Sequence, residues 1–480
     1  MTKSGFDVIK ADAMANIGTN FKDLDELKSD SLAVEKLPWW IKQKEFWDFT
    51  TEMDWSAQKP FEYSIRNFNQ HLSPKQAKQY NSRYTQVMEW RKTSKVPGFT
   101  HRDYAMKCGA DTITLLSDLA GIDKNGESAL YWTGSPKLMD VTPTPEEMGC
   151  PKYEATPEEN LLMIRTFLKV CGASKVGAVP VDVKFKSTQP KFYADKIPLV
   201  YENVDKPYIT RSKYVIPDRM KWAIVFSTEG GNDLTGRGNN WVGALGASLY
   251  SGGPSDYIQI QVQRFLKALG YSSVVSGICY NLQNWPAMGV ASGMGELGRM
   301  QISVSPFLKW DRAIRCIITD LPVSFTLPID AGITRFCIDC GRCASVCPVS
   351  AINSSRESSW DIWPKDPKNP NLRPELFNNP GKKTWYFGHH LCGAFGRDAN
   401  DSKCGICMLN CVFNRGTDTI LYPFIKPVGA NKSALANFLK DMKENFSCTG
   451  FESSIPLGEE DQYTLAGESL VENFWNQDSS

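Results

Sequence analysis

The sequence predicts a mixed α/β protein, α/β through its centre and built around cysteines near its C-terminus. Three observations carry that expectation. Strand-like and helix-like runs alternate between about residues 156 and 328. Eight of the 14 cysteines fall between Cys337 and Cys411. The composition of the 480 residues, 42% hydrophobic and 22% charged, is that of a globular protein with chain enough for about three domains of ~150 residues.

The elements follow in order. Residues 1–155 alternate helical patches with Pro and Gly breaks, and Leu37-Pro38-Trp39-Trp40, Phe46, Trp47 and Trp55 concentrate aromatics that serve first as core. Pro157-Glu158-Glu159 opens a helix with proline and acids in its first turn, and the apolar run Leu161 to Val170 continues it. Gly177 to Val181 and Trp222 to Phe226 read as buried strands, and Ile258 to Leu269 as a helix stopped by Gly270. Residues 156–328 are thus expected to form an α/β domain and 329–430 the cysteine module. Within that module Ser354 to Lys383 is a proline-rich insertion. A short amphipathic helix from Ala430 to Phe446 and an acidic tail occupy 431–480.

A net charge of +1 gives no case for nucleic acid as a partner. No apolar run of ~18 residues suggests a transmembrane helix, and the first thirty residues lack the apolar core of a signal peptide. Only four histidines stand beside the 14 cysteines, which favours thiolate over imidazole ligation.

The cysteines read Cys337-x2-Cys340-x2-Cys343-x3-Cys347-Pro348, then Cys392-x11-Cys404-x2-Cys407-x3-Cys411. The first run has the bacterial ferredoxin spacing, in which three close thiolates hold one cluster and the fourth reaches the other. By that logic Cys337, Cys340, Cys343 and Cys411 hold one [4Fe–4S] cluster, and Cys347, Cys392, Cys404 and Cys407 a second. Structural zinc rarely needs three cysteines at two-residue gaps followed by Cys-Pro. A disulfide scaffold does not suit a chain with a full core. Val412 rather than proline follows Cys411, so the loop geometry there stays open. The other six, Cys108, Cys150, Cys171, Cys279, Cys316 and Cys448, share no ligand spacing and are expected to be buried free thiols.

Gly293-Met-Gly295-Glu-Leu-Gly298 matches the dinucleotide fingerprint, but no apolar strand precedes it and no acid closes a βαβ unit after it. Gly293, Gly295 and Gly298 are therefore expected to let backbone approach some other large flat cofactor.

With two clusters expected behind an α/β domain, the sequence resembles the corrinoid-dependent reductive dehalogenases of organohalide-respiring bacteria. The resemblance rests on Pro38-Trp39-Trp40, Ser292-Gly-Met-Gly-Glu-Leu-Gly-Arg299, Thr319-Asp-Leu-Pro322 and the two cysteine runs. It implies a nitroreductase-like domain holding a base-off cobamide, joined to a ferredoxin-like domain with two [4Fe–4S] clusters. No Asp-x-His-x-x-Gly motif is present, which agrees with base-off binding and a cobalt whose lower face is vacant. The family's proton-donating tyrosine falls on Tyr250, with Tyr257 as rival. Its asparagine falls on Asn281 or Asn284, and its cation on Arg312, preferred, or Arg315. Arginine is the right type: a phenol of ordinary pKa ~10 is a poor acid unless a permanent cation steadies its phenolate. Trp385 is expected to shape a small apolar substrate pocket.

The implied reaction replaces a halogen of a small chloroalkane or chloroethene with hydrogen, electrons passing from an external donor through both clusters to the cobamide. The resemblance further implies a mature chain freed of a twin-arginine leader and held by a small integral-membrane anchor on the outer face of the membrane, and a homodimer is the expected assembly. Two alternatives stay open: a corrinoid and iron–sulfur reductase of the epoxyqueuosine type, or an electron-transfer subunit without chemistry of its own.

Overall fold

Four apolar runs form a central antiparallel sheet. They are β1 (Lys175–Pro180), β2 (Trp222–Glu229), β3 (Ser273–Val275) and β4 (Asp311–Thr319), in the spatial order β1-β2-β4-β3. The computed structural model describes residues 33–62, 71–91, 100–110, 132–134, 139–192, 197–229, 253–275, 282–308, 311–362, 369, 371–395 and 404–414. Alternation of strand and helix commonly accompanies a parallel sheet, yet every pairing in this sheet is antiparallel.

Both faces of the sheet are covered, which is why its strands read as nearly continuous apolar runs. Side chains alternate between the faces. Ile224, Phe226 and Ile317 pack beneath helices α1 (Pro157–Val170) and α2 (Gly253–Leu269) through Ile164, Leu168, Ile258, Val262 and Leu266. Ala223, Val225, Ile314, Cys316 and Ile318 turn the other way, onto Met288 and Ala291 of helix α3 (Trp285–Ala291) and onto Trp47 and Trp132. The amino-terminal aromatics are thus core on this second face, where Trp47 meets Trp55 edge to face at 5.3 Å.

The start of α1 is fixed as its sequence suggests. Glu159 N donates to Thr156 Oγ1 at 3.3 Å, and Thr156 N donates to the Glu159 carboxylate at 3.0 Å, behind Pro157. Helix α2 begins five residues before the expected Ile258, and Gly270, at φ +92°, ends it.

A separate core holds the cysteine module. Ile41, Met300, Val304, Ile329, Ile333, Phe336, Ile352 and Phe413 pack with Cys343, and six more of the eight clustered cysteines lie against them. Lys42–Gln43 pairs antiparallel with Ile329–Asp330, directly ahead of helix α4 (Ile333–Cys340). The insertion between Ser354 and Lys383 is mostly irregular where described, with one short helix at Pro374–Phe377. Its base is tied by reciprocal backbone bonds between Ser359 and Thr384 at 3.0 Å. The helix expected from Ala430 to Phe446 lies outside the described residues.

The expectation of six buried free thiols is corrected. Cys316 is buried in β4, but Cys108 and Cys150 are exposed and Cys171 is half-buried. Cys108 lies on a polar surface helix, His101–Ala110, and Cys150 in an exposed turn. Cys279 and Cys448 lie outside the described residues.

Candidate metal centre

The two cysteine runs fold together onto one core. Helix α4 carries Cys337 and Cys340, Gly341 reverses the chain at φ +57°, and the turn Arg342–Ser345 presents Cys343. A left-handed residue at that corner is available to glycine at little cost. Cys337 stands within electrostatic reach of Cys343, Cys411 and Cys340. Cys407, on the short helix Ile406–Leu409, stands within reach of Cys404 and Cys392, and also of Cys343 and Cys347. Cys411 thus lies near the first run although it is distant in sequence, and Cys343 borders both neighbourhoods.

These thiols are partly or wholly withdrawn from water. Burial pushes Cys337 and Cys407 well above the ordinary thiol range and Cys343 up to about 12. A thiol in such surroundings becomes a thiolate only when a metal replaces its proton, so the donor set fits iron. Ala351 N donates to Cys347 Sγ at 3.2 Å, the kind of bond that steadies a ligating sulfur. Among the described residues no three His, Cys, Asp or Glu are close enough to hold a single metal ion. The second run is roofed by the helix Pro74–Arg91, whose Tyr80 packs with Leu72, Ala394 and Phe395 against Cys404.

Helix α4 is gripped at both ends by one short segment. At its start the Glu296 carboxylate accepts from Ala331 N, from Ile333 N and Thr334 N at 3.2 Å, and from Thr50 Oγ1 at 2.8 Å. The local N-cap, Gly332, has no side chain to do this. At its end the Arg299 guanidinium donates to Cys337 O at 2.8 Å and Ile338 O at 3.3 Å, two of the last four carbonyls, which have no partner within the helix. A carboxylate at the amino end and a cation at the carboxyl end both complement the helix dipole. Sequence reasoning missed this pair. The available signal was two opposite charges three residues apart inside an otherwise glycine-rich motif.

That motif is a turn between α3 and the strand Glu296–Leu297, so a helix and not an apolar strand precedes it. Its glycines are filled by the protein itself. A Cβ on Gly293 would meet Leu327 O at 2.3 Å, one on Gly295 would meet Val304 O at 2.3 Å, and one on Gly298 would meet Val304 Cγ2 at 2.7 Å. The close approach these three glycines permit here is of chain to chain.

The residues expected around the reaction are placed as follows. Tyr250 and Asn281 lie outside the described residues. Tyr257 is 57% exposed on α2. Asn284 caps α3 by accepting from Ala287 N at 3.3 Å and also donates to Asn379 Oδ1 at 3.3 Å. Arg315, 3% exposed, is paired with Asp256 (Nε to Oδ1, 3.0 Å) and lies over the Trp285 ring at 4.6 Å. Arg312 is the extra residue of a β-bulge between Asp311 and Ala313, opposite Glu229 and Thr228. Trp385 is buried next to the first cysteine run, its indole N–H donating to Ser355 O at 2.9 Å and its ring lying under Arg299 at 4.3 Å.

A model of the 4Fe-4S binding domain matches residues 333–353, from the start of α4 past Cys347. Chloroethene reductive dehalogenase of Dehalococcoides mccartyi (strain VS) is 24% identical over 90% of this chain and 90% of its own. Trichloroethene reductive dehalogenase of the same species (strain ATCC BAA-2266 / KCTC 15142 / 195) is also 24% identical, over 90% of this chain and 88% of its own. Among solved structures, the catabolic reductive dehalogenase NpRdhA superposes with a TM-score of 0.55 at 18% identity, covering 88% of this chain and 51% of that one. The chain thus spans about half the length of the solved structures it matches. By sequence over nine-tenths of its length the chain is similar to reductive dehalogenases, which are oxidoreductases, and it shares their fold and carries a 4Fe–4S binding module.

Proposed function

We propose that the chain replaces a chlorine of a small chlorinated ethene or alkane with hydrogen, drawing electrons through two [4Fe–4S] clusters to a base-off cobamide held against a nitroreductase-like sheet. The observation that carries this reading is the meeting of the two cysteine runs on one core, with a 4Fe-4S binding domain matched over residues 333–353. The preference for a chloroethene rests on what the curated relatives are named for.

In balance, two electrons and a proton enter, a carbon–chlorine bond becomes carbon–hydrogen, and chloride leaves. The cobamide, when bound, supplies a low-valent cobalt that is both nucleophile and electron donor. Tyr250 gives the proton to carbon, and a cation beside it favours the phenolate left behind. Arg312 suits that task better than Arg315. Arg315 already has its carboxylate and its aromatic face, whereas Arg312 sits at a bulge of the backbone. Asn281 orients the substrate. Attachment to the outer face of the membrane through a small integral partner, removal of a twin-arginine leader and a homodimer belong to the same reading.

The test is a cofactor count on anaerobically purified protein, followed by chloride release from small chloroethenes and chloroalkanes. About eight iron, eight sulfide and one cobalt per chain, with chloride released, is the expected result. Full iron that no cobalamin reconstitution converts into activity would identify an electron-transfer protein, and zinc in place of iron would overturn the reading.

A further inference from the structure

We propose that Arg299 is the buried counter-charge of the first cluster and sets that cluster's reduction potential. The inference rests on the reading that Cys337, Cys340, Cys343 and Cys411 hold iron.

Arg299 is 1% exposed, the second-largest of the fully buried side chains. Its guanidinium meets only backbone carbonyls: Cys337 O at 2.8 Å, Ile338 O at 3.3 Å, Asn353 O at 3.0 Å, Arg356 O at 3.4 Å, and Ser355 O. Among the described residues no carboxylate is paired with it. The contrast is Arg315, equally buried, which has Asp256. Glu296, the acid of the same motif, faces the other end of α4. A guanidinium is charged at every working pH, and a buried cation left without an anion is strongly disfavoured.

The anions within reach are sulfurs. Cys337, Cys343 and Cys340 are the groups whose negative charge favours the Arg299 cation, against the burial that opposes it. A [4Fe–4S] centre held by four thiolates is an anion that gains one further negative charge on reduction. A fixed neighbouring cation therefore favours the reduced form and raises the potential. The Trp385 ring lies 4.3 Å from the guanidinium carbon and adds a cation–π contact on that side. Arg299 is a positioning residue, acting through the cluster and not on substrate.

The experiment compares wild type, Arg299→Met and Arg299→Lys as full chains, counting iron and sulfide and then following both clusters by EPR through a redox titration. Wild type without iron would sink the cluster reading itself and leave nothing for Arg299 to tune. With iron present, Arg299→Met is expected to shift one midpoint to more negative potential, leave the other in place, and have most of the shift restored by lysine. Full iron with both midpoints unmoved in Arg299→Met would overturn the proposal. If Arg299→Met takes up no iron, Arg299→Lys decides. A loaded lysine variant with a near-wild-type midpoint supports a charge requirement, and one that also fails to load shows that the shape of the fork is what the site needs.

Discussion

Glu296 and Arg299, three residues apart, hold opposite ends of the helix that presents Cys337 and Cys340: the carboxylate takes Ile333 N and Thr334 N, and the guanidinium takes Cys337 O and Ile338 O. An eight-residue helix is ~12 Å long, too short to be stable by itself. One segment therefore fixes both the position of two ligands and the direction in which they point.

Glu296→Ala leaves the N–H groups of Ala331, Ile333 and Thr334 buried without their acceptor. At ~1–3 kcal/mol for each unsatisfied group, we expect a loss of at least ~3 kcal/mol and clusters that are released on mild warming. Glu296→Gln keeps an acceptor and is expected to lose only ~1 kcal/mol. Thermal melting followed by visible absorbance separates the two variants, and equal melting points would show that the carboxylate does not support the helix.

Cys411→Ser is expected to damage one cluster and spare its neighbour, although serine there stands far along the chain from Cys337. Roughly half the iron should be lost at most, with one of two EPR signals altered. Cys404→Ser should alter the other signal. Should both variants disturb the same signal, the assignment of Cys411 to the first group would be wrong.

The two arginines of β4 are expected to fail in different ways. Asp256→Ala strands the buried Arg315 and should cost ~3–5 kcal/mol of stability. Arg312→Gln should leave the melting temperature in place and lower kcat by about 10²-fold, the scale of a lost transition-state charge contact. Denaturation and steady-state kinetics on both variants suffice, and a stable, fully active Arg312→Gln would remove Arg312 from the reaction.

Lys382 gives a pH dependence of defined sign. Its ammonium is withdrawn from water with the neutral Gln301 Oε1 as acceptor at 3.0 Å, and burial lowers its pKa to about 8. Below pH 8 the lysine is charged both folded and unfolded, and the fold bears the full penalty. Between about pH 8 and the unperturbed value near 10.4 the unfolded chain binds the extra proton, so stability rises with pH, by at most ~1.4 kcal/mol per unit. Anaerobic denaturation from pH 7 to 10 is expected to show that rise in wild type and to lose it in Lys382→Met.

The first cysteine run was legible because ligand spacing is a constraint on reach, and reach is written directly in residue numbers; a 4Fe-4S binding domain is matched there. The helix at Pro157 was legible for a similar reason, its capping box being local. The antiparallel order of the sheet was not: adjacent runs β1 and β2 do pair, but β4 slips between β2 and β3, and no local signal distinguishes that arrangement. The glycines of 293–298 could not reveal from sequence the chain atoms they admit, because a missing Cβ looks the same whatever approaches it. Arg312 and Arg315 could not be separated by type. What separates them is an ion pair to a residue on another helix and a single-residue bulge.

The pairing of Lys42–Gln43 with Ile329–Asp330 has a consequence for biogenesis. A ribosome releases the first of these segments long before the second exists, and the first cysteine group waits longer still for Cys411. Contacts so distant in sequence form late. The entrance to the cluster helix is therefore locked only in a nearly complete chain, and iron that arrives earlier meets three sulfurs and an unanchored helix. On the proposed assignment the first cluster can be completed only after Cys411 has been made, so metal loading follows synthesis of most of the chain.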